Sequence, residues 1–84
     1  MEVKITSYNV ITEMLEISTV PTGKNPELVE RIVSKDALSI LLEKVAKKDL
    51  PSNVSEIDKA ILEAIYKSGG MAWVEQQINE MQLY

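Results

Sequence analysis

The side chains that could carry chemistry in this chain of 84 residues are carboxylates, lysines and hydroxyls, because it contains no His and no Cys. Their absence removes disulfides, thiolate chemistry, Cys/His zinc sites and imidazole acid-base catalysis. Ser and Thr are plentiful, but a hydroxyl nucleophile needs a base beside it, and no lysine-based activation signature accompanies them. The acids gather only in pairs, Glu27 with Glu30 in "NPELVE" and Glu56 with Asp58 in "SEIDK". A Mg²⁺ or Ca²⁺ site needs more oxygen ligands than a pair supplies. Pairs of this kind serve as caps and dipole partners at helix starts. "TGKN", Thr22 to Asn25, has the Gly-Lys of a phosphate loop without its remaining glycines or preceding strand, and reads as a turn. The expectation is a protein that is not an enzyme and holds no cofactor and no metal.

The cations are equally unpromising as a phosphate site. Lys44, Lys47 and Lys48 fall in the last turns of a helix, where they complement the negative end of its dipole. Arg31 and Lys35 are interleaved with Glu27, Glu30 and Asp36, a mixed and solvated face. Thirteen acidic against nine basic residues give a net charge of -4, which opposes non-specific attraction to nucleic acid or anionic lipid. No apolar run approaches the roughly 18 residues that span a bilayer. "MEVKITSYNV" lacks a basic region followed by a continuous apolar one. These features predict a cytoplasmic chain without membrane contact.

The elements that would position any site follow from the apolar spacing. With 45% apolar residues but no Phe, the core must be aliphatic. Breaks at "TVPTGKNP", "KDLPSN" and "KSGG" cut the chain into four blocks. In "SYNVITEMLEIS", Tyr8, Val10, Ile11, Met14, Leu15 and Ile17 fall on one half of a helical wheel, which predicts a helix with Ser7 as its cap. "EVKIT" alternates and could form a short strand, though one without a visible partner. Asn25 and Pro26 look like a cap and first position of a second helix, with Leu28, Val29, Ile32 and Val33 along one face. Beyond Ser34 the apolar residues Ala37, Leu38, Leu41, Leu42 and Val45 lie about half a turn away. Either the chain breaks near Ser34, which caps a new helix from Lys35, or one long helix buries its two halves against different bodies. "SNVSEIDKAILEAIYK" predicts a helix with a capping box from Asn53 to Glu56 and an end at Gly69. A last helix gathers Met71, Val74, Ile78 and Met81, with Trp73 and Tyr84 at the edge of the stripe. The expected fold is one all-α domain over residues 1–84, a small bundle of four or five short helices, with or without a short N-terminal strand.

The order helix, Gly-containing turn, helix in "ILEAIYKSGGMAWVEQQI" resembles part of a winged-helix domain. The resemblance covers under a quarter of the chain and lacks the third helix and the wing, so it identifies no family. As a helix-turn-helix it would need cations for phosphates. The final helix instead carries Glu75 and Glu80 with Gln76, Asn79 and Gln82, and no Lys or Arg. An ordinary helical hairpin fits better, and DNA-binding regulation is the alternative function.

What remains is apolar surface. Leu28, Val29, Ile32 and Val33 face away from the stripe that follows them, Ile40 stands on the charged side of its helix, and Tyr66, Trp73 and Tyr84 sit at stripe edges. Trp and Tyr suit interface anchors because they bury large area and keep a polar tip; Trp73, beside the Gly turn, can instead close the core. These eight residues are the candidate protein interface. The functional expectation is a small acidic inhibitor, adaptor or regulatory subunit that binds another protein, by analogy with those that phages and mobile elements direct at host factors, and that forms a homodimer. For nucleic acid, the charge pattern predicts only non-specific affinity at physiological salt, with dissociation constants no better than about 10⁻⁶ M. A gel-shift titration across random and defined duplexes checks this.

Overall fold

The chain reverses direction between Tyr8 and Met14, and that reversal makes a sheet where a helix was expected. In the computed structural model, which describes residues 1–81, the Asn9 side-chain oxygen accepts hydrogen bonds from the amides of Ile11 at 2.9 Å and Thr12 at 3.0 Å. The Asn9 amide donates to the Met14 carbonyl at 3.0 Å, and Glu13 closes the turn in the left-handed region at φ 60°. Asn supplies this turn through its side chain, which imitates a backbone carbonyl, so neither Gly nor Pro marks it.

On either side of the turn run β1 (Val3–Tyr8) and β2 (Met14–Thr19), paired antiparallel with Val3 opposite Thr19, Ile5 opposite Ile17 and Tyr8 opposite Leu15. The register shifts between Ile5 and Ser7, a bulge at Thr6 whose hydroxyl donates to the Glu16 carbonyl at 3.2 Å. The extra residue flips the alternation, so that Val3, Ile5 and Tyr8 all turn toward the core although their spacing is two and then three. "EVKIT" thus belongs to a strand, and its partner lies in the segment taken for a helix.

β3 (Glu30–Ser34) pairs antiparallel with β2, Val33 opposite Leu15 and Arg31 opposite Ile17, giving a sheet of order β1-β2-β3. The connection from β2 is closed by Thr19, whose buried hydroxyl donates to the Glu27 carbonyl at 3.1 Å and accepts from the Val29 amide at 2.9 Å. "TGKN" is a turn, as its composition suggests, with Asn25 and Thr22 exchanging hydrogen bonds.

All three helices follow the sheet. Ser34 ends β3 and caps α1 (Lys35–Ala46), its hydroxyl accepting from the Ala37 amide at 3.1 Å. The break at Ser34 is therefore real, but a strand rather than a helix precedes it. α2 (Glu56–Ser68) is capped by Ser55, not Asn53, and ends at Gly69 as expected. α3 (Met71–Met81) follows directly. Among the described residues the fold is α+β, three antiparallel strands with three helices, and not an all-α bundle.

The helices cover one face of the sheet. The four largest fully buried side chains are Leu15 from β2, Leu38 from α1, Ile65 from α2 and Val74 from α3, so each layer element contributes to one cluster. Burying an aliphatic side chain of this size stabilises by roughly 1.5–3 kcal/mol. α3 packs against β1, which ties the sheet's first strand to the last helix described.

The α2–α3 turn is sterically committed. Gly69 has φ 137°, and a Cβ there would lie 3.2 Å from that of Trp73, whereas Gly70 has φ 65° and open space around it. Gly69→Ala is expected to lower stability by about 2–3 kcal/mol and Gly70→Ala by only about 1 kcal/mol. Thermal melts of the two variants check the order.

Candidate functional site: the open edge of β3

β3 is an edge strand, and the direction of its backbone can be read from its two ends. The Thr19 amide donates to the Val29 carbonyl and the Lys35 amide to the Glu13 carbonyl, both at 2.9 Å. In an antiparallel ladder such bonded positions recur at every second residue. Val29, Arg31, Val33 and Lys35 therefore turn their backbone groups to β2, and Glu30, Ile32 and Ser34 turn theirs to the open edge. Side chains alternate with the same period. Val29, Arg31 and Val33 project to the helix side, while Leu28, Glu30 and Ile32 project to the outer face.

Beside this edge, on the helix side, lies a groove of about 350 Å³ between β3, α1 and the start of α2. Its apolar walls come from Ile17, Val33, Leu38, Leu41, Ile61 and Leu62. Arg31 crosses its mouth: Nε donates to the Asp58 carboxylate at 2.7 Å, and another guanidinium nitrogen donates to the Glu30 carbonyl at 2.9 Å. Asp58 is held in turn by the Ser55 hydroxyl, which donates to it at 2.9 Å while capping α2. A second hollow, lined by Ser7, Met14, Glu16 and again Ile32 among others, opens on the far side. Ile32 stands between the two and is 70% exposed.

The eight interface candidates divide. Leu28 and Ile32 are exposed together on the outer side of the β3 edge. Val29, Val33 and Trp73 are half-buried and pack against the core. For Val29 and Val33 the alternation of a strand, not a helical face, decides this. Ile40 and Tyr66 are exposed on α1 and α2 and do not line the groove. Tyr84 lies outside the described residues. The sequence reading missed Leu41, Val54 and Asp58, which the fold brings to the groove, and the hairpin tip, where Val10 and Ile11 are 65% and 89% exposed. The spacing of these tip residues places them on one half of a helical wheel; Asn9 is the signal in the sequence that marks the turn instead.

Elsewhere the charges are structural. Exposed positions of α3 include Ala72, Gln76, Asn79 and Glu80, and Glu75 ion-pairs with Lys35 at the start of α1. Among the described residues no three acids come together as a metal site would require. Among the described residues no helix is long and apolar enough to cross a membrane.

The hydrogen bond to Glu75 holds the Lys35 pKa above its usual 10.5, against partial desolvation and with help from the charges of Glu75, Tyr8 and Glu13. A raised pKa means stabilisation that is complete below the ordinary lysine value and lost as pH climbs through the raised one. Both partners are partly solvated, so Lys35→Met should cost less than about 1 kcal/mol at neutral pH, and the difference from wild type should vanish in strongly alkaline solution. Urea unfolding at the two pH values checks it.

Comparisons with family models, with curated proteins and with solved structures find no match to this chain.

Proposed function

We propose that this chain is a non-catalytic protein-binding protein, an inhibitor, adaptor or regulatory subunit, that docks its partner on the β3 edge and the groove beside it. The observation that carries this reading is Ile32: an isoleucine, 70% exposed, at the centre of a sheet edge unpaired among the described residues, with an apolar groove on one side. A bare edge strand is a standing liability for unwanted pairing unless it is covered or used. Leu28, 57% exposed on the same face, extends the apolar strip. Lone exposed aliphatic residues are ordinary; an apolar strip that coincides with free backbone groups and a groove is a recognition surface. The DNA-binding alternative has no comparable support, since α3 would present Glu80 to phosphates and contains no cation.

Replacing the double apolar strip by uncharged polar residues, Leu28→Ser with Ile32→Thr, should change folding stability by no more than about 0.5 kcal/mol per site, because both side chains are exposed. Tagged wild-type protein is expected to retain one protein in stoichiometric amount from extracts of its source cell, and the double variant to lose it. Mass spectrometry of the retained material checks this; equal capture by both forms would move the contact surface elsewhere.

A further inference from the structure

We infer that the partner enters as an extended segment, adding a fourth strand along β3 with aliphatic side chains turned into the groove and lysine or arginine side chains on the outer face. This rests on the β3 edge being the docking surface, and it specifies the chemistry of what docks there.

Backbone, groove and charge each constrain the occupant. The edge presents the amides and carbonyls of Glu30 and Ile32 and the amide of Ser34, whose carbonyl starts α1, and an extended chain can pair these groups where a helix cannot. Arg31 uses the Glu30 carbonyl, but a carbonyl oxygen has a second lone pair for an incoming amide. A strand laid against β3 directs every second side chain to the helix side. There the walls are Val33, Leu41, Ile61 and Leu62 and the matching side chain is aliphatic. The remaining side chains fall on the outer face, beside Glu30 between Leu28 and Ile32.

The charge around the edge selects the sign. Arg31 and Asp58 neutralise one another, whereas Glu27, Glu30 and Glu56 make no ion pair among the described residues. A segment with cations at its outward positions meets the uncompensated Glu30 carboxylate on the outer face, and like charges across a strand pair are unfavourable. A second copy of this chain is for that reason the poorer occupant: it would bring its own Glu27, Glu30 and Glu56 to the same edge. The opposite edge of the sheet offers no equivalent, since β1 carries Lys4 and the bulge at Thr6, two devices that blunt strand addition.

The test uses the full chain and an acetylated, amidated peptide, Lys-Ile-Lys-Val-Lys-Ile-Lys, titrated by calorimetry at low salt. Saturable binding is expected, at least tenfold weaker for the same peptide with Glu in place of Lys, and weakening as salt is raised. N-methylation separates strand pairing from simple charge attraction. In a strand only alternate amides face the neighbour, so methylating one set, the Lys or the aliphatic residues, should abolish binding and methylating the other should leave it. Loss with both sets or with neither overturns the inference.

Ile32→Pro supplies the reciprocal change. The Ile32 amide faces away from β2, so proline there spares the existing ladder while removing one edge donor. At least tenfold weaker peptide binding with an intact melting transition is expected; should that variant not fold, the methylated peptides on wild-type protein decide alone. A dimer at micromolar concentration that Ile32→Pro dissociates would overturn the inference in favour of self-pairing. Capture of a cellular partner that depends on Leu28 and Ile32, with no binding of the peptide, would overturn strand addition and leave the broader protein-binding reading standing.

Discussion

The rest of the molecule depends on the Asn9 side chain standing in for a backbone carbonyl. Its two accepted hydrogen bonds reverse the chain without glycine, and the reversal sets Tyr8 across from Leu15. From that pairing the bulge at Thr6 follows, because Val3 and Ile5 reach the core only if the alternation slips by one residue. Leu15 and Ile17 then join the buried cluster to which all three described helices contribute. Glu13, in the left-handed region, carries the local strain that this arrangement requires of a residue with a side chain.

A hierarchy of constraints then leads from turn to groove. Thr19 ties the β2–β3 connection from within, satisfying its own buried hydroxyl and bringing Val29 into the ladder. Ser34 ends the strand and starts the helix in a single residue, leaving α1 no slack in its placement beside β3. Ser55 repeats the device at α2 and orients Asp58 toward Arg31. The groove is thus bounded by short-range polar contacts whose individual energies are small, while the aliphatic cluster beneath supplies the stability. The site is built from geometry rather than from reactive groups, in keeping with a composition that holds neither His nor Cys.

The helical half of this fold was legible in the sequence and the sheet half was not, for reasons that particular residues make plain. α1 and α2 carry apolar residues at regular helical spacing, such as Leu38, Leu41, Leu42 and Val45, and Ser34 marks the start of α1, whereas at α2 Asn53 rather than Ser55 reads as the cap. Ser34 and Gly69 announced their boundaries correctly. In the first third, Val10 and Ile11 are exposed on a hairpin tip, yet they complete a helical stripe with Tyr8, Met14 and Leu15. The bulge removed the period of two that would have exposed β1, and Arg31 on the inner face with Ile32 on the outer face scrambled it in β3. Of the candidate surface, Leu28 and Ile32 stand out by type, but the helical phase that singles them out equally selects Val29 and Val33, which strand alternation turns inward. Arg31, Leu41 and Asp58 could not be found, because the groove joins residues from three elements whose arrangement depends on the misread turn.

The packing of α3 on β1 has a consequence for how the chain folds as it is made. The sheet is a meander of neighbouring strands, quick to pair because its contacts are local, but the inner face of β1 waits for the last helix described. Until α2 and then α3 have been synthesised, the cover of Val3 and Ile5 is incomplete, and the early sheet is a two-sided surface with apolar residues exposed. Completion of the core is thus delayed until nearly all of these elements exist, and in that interval the nascent sheet is the segment with most need of protection from premature association.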